Sequence, residues 1–133
     1  MSTSAQYAAT PNVGSALLTT ADTSLTAPTT VGTVLTAGAS GSRIDYINIQ
    51  GVATTVASII NLFIYDGTNY VLWTQVPVIA ITSSTTAVAF QAQLSSNNAS
   101  SIMPLIIPTG SSLRATTTVT QTGVRVSAFG GDF

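Results

Sequence analysis

The chain has 133 residues, enough for one domain, and only 5% of them are charged, with no Lys, Glu, His or Cys. A net charge of −1 provides no basic patch for nucleic acid, and the apolar runs are too short to span a membrane. We therefore expect neither partner, and the start of the chain lacks the features of a secretory signal. Because little charge opposes association between copies, the composition favours a surface covered in an assembly over a free Thr-rich β-domain.

In chain order, the first 30 residues are rich in Thr, Ala and Ser and contain Pro11 and Pro28. We predict an N-terminal arm with a possible edge strand over residues 1–30, and a β-sandwich domain over residues 31–133. Helical periodicity is missing, and short runs of Val, Ile and Thr alternate with turn residues. The predicted strands are 16–20, 31–36, 43–50, 57–65, 70–76, 87–94, 102–107, 111–117 and 123–129. Eight or nine such strands predict an all-β fold, an antiparallel β-sandwich of the jelly-roll type.

Two turns between these strands follow from local chemistry. After the strand 57–65, the Asp66 side chain caps the turn and Gly67 tolerates a positive φ. The Pro-Thr-Gly sequence at 108–110 predicts a second turn. This second turn makes the strands 102–107 and 111–117 the two halves of a hairpin.

The distribution of apolar side chains over the two faces differs between strands. Strand 87–94 alternates, with one apolar face formed by Val88, Phe90, Ala92 and Leu94. Strand 57–65 is apolar on both faces, with Ile60, Leu62 and Ile64 on one and Ile59, Phe63 and Tyr65 on the other. Because one face of an antiparallel sandwich is usually solvated, either a loop or a neighbouring subunit must cover the second face. If a subunit covers it, Ile59, Phe63 and Tyr65 are assembly contacts.

The few charged residues and the C-terminal segment supply the other candidate contacts. With so few charges, we expect Arg43, Arg114 and Arg125 each to have a specific partner, within the chain or in a neighbouring subunit. The segment AFGGDF, which ends at Phe133, is expected either to fray or to act as a short hook that inserts the Phe133 ring into a neighbour. The Gly-Gly-Asp-Phe sequence resembles the motif of cyclic-dinucleotide synthases, but it lacks their Glu and their α/β domain.

Catalytic chemistry has little support in the composition. Without His, Glu or Lys there is no usual general base, and without Cys or His there is no zinc site. Asp22, Thr23 and Ser24 resemble the Asp-Thr-Gly/Ser motif of aspartic proteases, but the same residues suit an ordinary turn. We therefore predict a protein that is not an enzyme and has no metal or cofactor. A carbohydrate-binding β-sandwich, with Tyr65, Tyr70 and Trp73 as stacking platform, is the alternative.

Four stretches together resemble small structural proteins of tailed bacteriophages: TAGASGSRIDYINI, NLFIYDGTNYVLW, PLIIPTGSSLRATT and VRVSAFGGDF. The resemblance extends from about residue 31 to residue 133 and includes no active-site motif. It implies a virion structural protein that binds the outer surface of the capsid as a cement or decoration protein. The implied partners are the major capsid protein and further copies of this chain, most often in a trimer, with host cytoplasm as the site of assembly. A neck, tail or fibre-base position is the alternative within this class.

Overall fold

The computed structural model describes residues 10–95 and 104–133, with the Ser95 side chain left aside. This part of the chain contains nine strands and no helix. The strands are β1 (Thr10–Leu18), β2 (Gly32–Thr36), β3 (Ser42–Gly51), β4 (Ser58–Tyr65), β5 (Tyr70–Val78), β6 (Gln91–Ser95), β7 (Leu105–Ile107), β8 (Ser112–Thr117) and β9 (Val124–Asp132).

The nine strands form two antiparallel sheets with the strand order of a jelly roll. Sheet I has the order β1-β9-β3-β6, and β7 also pairs with β3, beyond the end of β6. Sheet II has the order β2-β8-β4-β5. β1 pairs with β9, β2 with β8, β3 with β6 and β7, and β4 with β5, as if one long hairpin had been folded over itself. The predicted all-β jelly-roll sandwich is therefore confirmed.

The turn at 108–110 connects the two sheets and does not close a hairpin. The Ser111 amide donates to the Pro108 carbonyl, and Gly110 has a φ of 83°, as its turn chemistry predicted. However, β7 pairs with β3 in sheet I, whereas β8 pairs with β2 and β4 in sheet II. The predicted hairpin is wrong because β7 and β8 lie in different sheets, where each pairs with other strands.

Alternating side chains from both sheets form the core. In β3, Ile47 and Ile49 are fully buried, and their register partners in β9, Ala128 and Val126, are fully buried as well. Sheet II contributes the facing layer, which includes Ile60, Leu62, Leu113 and Ala115. Each buried Ile, Leu or Val contributes roughly 1.5–3 kcal/mol relative to an exposed one, so this layer is the main source of stability.

Four connections lie together at one end of the sandwich, here called the four-loop end: residues 19–31, 52–57, 79–90 and 118–123. Antiparallel pairing places the ends of β1 and β3 beside the start of β9, which fixes this grouping. Backbone hydrogen bonds then join the segments: Val52 to Gly123, Thr55 to Ile81, and Gln121 to Thr19. The opposite end carries the short turns at 37–41, 66–69 and 108–111.

The C-terminal segment up to Asp132 is a strand inside sheet I and does not fray, whereas insertion of the Phe133 ring into a neighbour stays a prediction. β9 continues to Asp132, three residues beyond the predicted end, between β1 and β3. At Gly130 the neighbouring backbone comes so close that a Cβ atom would overlap the Arg43 carbonyl oxygen. The Phe133 amide donates to the Gly41 carbonyl over 3.2 Å, and the Phe133 side chain is half-buried. Gly130 therefore permits close packing of β9 on β3.

The N-terminal edge strand is present but is longer than predicted and belongs to the sandwich. β1 covers residues 10–18 and pairs with β9 along its whole length. The division at residue 30 therefore does not separate an arm from the sandwich, at least for the residues from Thr10 onward. The first nine residues of the predicted arm lie outside the described residues.

β6 begins later than the predicted strand 87–94. Ser84 and Ala87 form a tight turn, in which the Ser84 amide donates to the Ala87 carbonyl. Phe90 is buried against the core, whereas Val88 is 78% exposed in the loop that precedes β6. The assignment of Val88 to the buried face is wrong because the alternating pattern extends into a loop.

Candidate functional site

The outward face of β4 is covered within the chain, which corrects one predicted assembly contact. Phe63 is 0% exposed, although it lies outside the core between the sheets. Its ring meets Tyr70 edge-on at 5.8 Å, and Asn61 beside it accepts a 2.7 Å hydrogen bond from Gln75. Phe63 is therefore not accessible to another subunit in this conformation. Ile59, at the start of β4, is 39% exposed and borders the four-loop end.

Arg114 lies over the aromatic rings of this face and has several partners within the chain. Its guanidinium carbon is 4.0 Å from the Tyr65 ring centroid, and its Nη1 donates to the Tyr70 hydroxyl over 2.8 Å. Its Nε donates to the Ser112 hydroxyl, and the Tyr65 and Tyr70 rings stack at 4.4 Å. Arg114 and Tyr65, two predicted assembly contacts, thus form one half-buried cluster at the end with the short turns. Their role toward a second subunit stays a prediction.

We expect Arg114→Ala to lower the free energy of unfolding by about 1–3 kcal/mol, because it removes a cation–π contact and two hydrogen bonds from a half-buried cluster. Arg43→Ala is the matched control. The Arg43 Nε is 2.8 Å from the Asp45 carboxylate, but this pair is solvent-exposed, so its loss should change stability by less than about 1 kcal/mol. Urea unfolding of both variants measures the difference. Equal losses would contradict the assigned role of the cluster.

The other predicted charged contacts are more exposed. Arg43 has the specific partner that we expected, the carboxylate of Asp45 two residues along β3. Arg125 is exposed on sheet I, and its Nη1 donates to the Ser15 hydroxyl over a long 3.4 Å. Arg125 is therefore the predicted contact with the weakest partner in the described structure.

Asp22 stabilises the longest segment of the four-loop end. Its carboxylate accepts backbone hydrogen bonds from Ser24, Thr29 and Thr30, at 2.7–3.0 Å. These bonds, that of Thr30 above all, lower the pKa of Asp22 below its ordinary value. The described partners of Asp22 are thus the amides of its own loop, as the turn interpretation of Asp-Thr-Ser predicts.

Three aspartates determine the expected pH dependence of stability. Asp66 accepts from the amides of Asn69 and Thr68, and Asp132 accepts from the side chains of Ser42 and Asn12. These hydrogen bonds lower the pKa of both carboxyls, as the loop amides do for Asp22.

A carboxyl whose pKa is lower in the folded state than in the unfolded state, where it is 3.8, stabilises the fold at pH values above 3.8. This stabilisation is lost as the pH falls through the pKa of the folded state. We expect the free energy of unfolding to fall below about pH 4 and, because the chain contains no His or Cys, to be flat between about pH 5 and 9. Denaturant titrations across pH 2–9 measure it. Asp22→Asn should make the acidic decline shallower, and an unchanged decline would contradict the assignment.

The four-loop end presents an apolar surface with almost no charge. Its exposed large apolar side chains are Leu25, Val52, Val56, Ile79, Val88 and Val119. Asp22 is the only charged residue in the four segments, and its carboxylate is held by loop amides. Such a surface loses little hydration energy when it is covered, because no unpaired charge must be desolvated.

The outward face of sheet I carries a second distinct surface, a shallow depression of about 320 Å³. It is lined by Tyr46, Asn48 and Gln50 from β3, Gln91 and Gln93 from β6, and Phe129 from β9. Tyr46 and Phe129 are register partners, and their rings stack with centroids 4.6 Å apart and planes 14° apart. The depression thus combines an aromatic pair with a row of side-chain amides.

The aromatic residues that we predicted as a carbohydrate platform do not form one flat exposed surface. Tyr65 and Tyr70 stack on each other beneath the Arg114 guanidinium, and Trp73 packs partly buried against the core. The aromatic pair of the depression, Tyr46 and Phe129, was not singled out from the sequence. The available signal was the alternation of Tyr46, Asn48 and Gln50 with buried isoleucines, which marks one polar face of β3.

Comparison with protein-family models, with curated proteins and with solved structures found no match to the chain. Within residues 10–95 and 104–133, no group of three or more His, Cys, Asp or Glu side chains is placed to hold a metal ion. The same residues include no helix of the length and apolarity needed to cross a membrane.

Proposed function

We propose that this protein is a structural component of a tailed-bacteriophage particle, which binds the outer surface of the capsid as a cement or decoration protein. The observation that carries the proposal is the four-loop end, where six exposed apolar side chains lie on segments whose only charged residue is Asp22. Burial of apolar area without desolvation of charge is the main driving force for stable protein–protein contacts.

The jelly-roll frame supports the same proposal. Backbone hydrogen bonds join the four segments that carry the apolar side chains. A preordered surface loses little conformational entropy on binding, which favours attachment at many equivalent positions of a shell. The four sequence stretches that resemble phage structural proteins give the class of partner, the major capsid protein. Fold alone does not determine function, so the partner rests on that resemblance.

Trimer formation belongs to the proposal as well. A small protein with little surface charge associates readily with its own copies, and a trimer fits a threefold position of an icosahedral shell. A neck, tail or fibre-base position is the second candidate, because it would use the same uncharged contact surface.

The test is reconstitution on capsids that lack this protein. The purified chain is mixed with emptied or procapsid-derived shells of the same phage, and co-sedimentation is measured over a range of concentrations. We expect saturation at a fixed number of copies per shell and an increase in the temperature of shell disruption. Gold-labelled protein on necks or tails would support the second candidate. No association with any part of the particle would overturn the proposal.

A further inference from the structure

The outward face of sheet I has a regular arrangement of side chains that the capsid proposal does not use. Strand register places Val13, Phe129 and Tyr46 in one row across β1, β9 and β3. The next row contains Ser15, Ser127, Asn48 and Gln93, and the third contains Leu17, Arg125, Gln50 and Gln91. A row with two aromatic rings is thus followed by one row of hydroxyl and amide groups, and then by a row in which two amides stand beside an arginine and a leucine.

The chemistry of the depression in this face selects a class of ligand. None of the six residues that line it carries a charge. Each Asn or Gln side chain offers both hydrogen-bond donors and an acceptor, and sugar hydroxyl groups likewise donate and accept. The rings of Tyr46 and Phe129 offer apolar surface for the C–H faces of a pyranose. A pocket with an aromatic wall and a few convergent polar groups is the general form of a small-ligand site.

The lining is also held in place by the fold. β3 and β9 are inner strands of sheet I, and their opposite faces are buried in the core. The stacked rings restrict each other, and the Gln50 Nε2 donates to the Gly51 carbonyl over 3.1 Å. Tyr46 nevertheless remains 39% exposed. Groups that are ordered before binding lose less entropy when a ligand arrives.

We propose that this depression is a binding site for a neutral oligosaccharide, with Tyr46 and Phe129 as the apolar wall and Asn48, Gln50 and Gln91 as the polar contacts. The choice of a neutral ligand rests on the uncharged lining; Arg125, the register partner of Gln50, borders the depression but does not line it. The proposal extends beyond capsid binding, since the four-loop end and this sheet face are different surfaces of the sandwich. A particle-bound copy that attaches by its loops would leave the face available for glycans.

The test uses the full chain with maltohexaose, cellohexaose and chitohexaose, followed by NMR of the side-chain amide signals and by calorimetry. We expect at least one hexasaccharide to shift the signals of Asn48, Gln50 and Gln91 in a saturable way. Tyr46→Ala and Asn48→Ala should each weaken that binding about tenfold or more, since each removes one contact type. Asn69→Ala, an exposed amide in the turn between β4 and β5, is the matched control and should bind as the parent does.

Four results would overturn the site. The first is the absence of a saturable shift with all three hexasaccharides, and the second is unchanged affinity in both variants. The third is selective binding of an acidic oligosaccharide that Arg125→Gln abolishes. The fourth is self-association through this face, seen as sedimenting dimers that Tyr46→Ala dissociates. Because Tyr46 lies outside the four-loop end, Tyr46→Ala should still bind capsids, so failure of this site and failure of the capsid proposal are distinguishable.

Discussion

Gly130→Ala is expected to lower the free energy of unfolding by roughly 3 kcal/mol or more, enough to remove a large part of the stability of a small domain. A Cβ atom at Gly130 would overlap the Arg43 carbonyl oxygen and lie 2.8 Å from the Arg43 carbonyl carbon. These are backbone atoms, so no side-chain rotation relieves the overlap. β9 and β3 must separate instead, and their separation disturbs the central pair of sheet I.

Gly110→Ala provides the contrast for this prediction. Gly110 has a φ of 83° and no heavy atom within 4 Å of the position of an added Cβ. Its replacement meets only the conformational penalty of a positive φ, about 1 kcal/mol. Urea unfolding of both variants at one pH measures the two losses. If Gly110→Ala is as damaging as Gly130→Ala, close packing of β9 on β3 is not the reason for the glycine.

Local chemistry in the sequence was sufficient to predict much of the fold. The turn after β4 forms as predicted, with the Asp66 carboxylate accepting from the Thr68 and Asn69 amides and Gly67 at a φ of 97°. Strands with a clear period of two, such as β3, lie within one residue of their predicted bounds. In these elements, the conformation that each residue favours locally is also the one that the folded structure requires.

The length of the C-terminal strand was underestimated because a glycine can either end a strand or allow two strands to pack closely. Gly130 and Gly131 have weak strand propensity, so local reasoning ends the strand at Phe129. In the sheet, β3 has an irregular register between Ile44 and Tyr46, opposite this part of β9. Close approach of two backbones at that point requires a glycine, and this requirement is visible only when the partner strand is known.

The side chains that cover the outward face of β4 could likewise not be predicted from the sequence. Two apolar faces in one strand were correctly recognised as needing a cover, but the sequence could not choose between a neighbouring subunit and the chain itself. The register shift between Leu62 and Phe63 in the pairing with β5 helps to bring Tyr70 and Arg114 around Phe63. That shift concerns the register of two paired strands, so it cannot be seen in the sequence of β4 alone.

The depression on sheet I could not be assembled from the sequence because its lining comes from three strands far apart in the chain. Tyr46 and Phe129 become neighbours only through the pairing of β3 with β9, and Gln91 joins them through β6. The alternation of residues along each strand predicts which side chains share its polar face. It does not predict that the polar faces of these three strands lie side by side, which depends on the strand order of the jelly roll. The four-loop end likewise became visible only when the topology placed its segments at one end.

Val88→Asp and Ile79→Asp are each expected to weaken capsid binding about 100-fold, and together to abolish it. Val88 is 78% exposed and Ile79 is 60% exposed, so neither substitution removes core packing, and both variants should unfold at the same urea concentration as the parent. The loss on capsids has a separate cause. A carboxylate placed in an apolar contact must be desolvated without a partner, at a cost of several kcal/mol.

Val71→Asp is the matched control, because Val71 on β5 is 58% exposed and lies outside the four-loop end. It introduces the same charge by the same substitution, so it should leave capsid binding within about twofold of the parent if contact at the loops decides affinity. Co-sedimentation with shells that lack the protein measures the three single variants and the double variant. Equal weakening by Val71→Asp would mean that the added negative charge itself repels the shell. Full binding by the Val88→Asp, Ile79→Asp double variant would exclude the four-loop end and leave the sheet faces or edges as the contact.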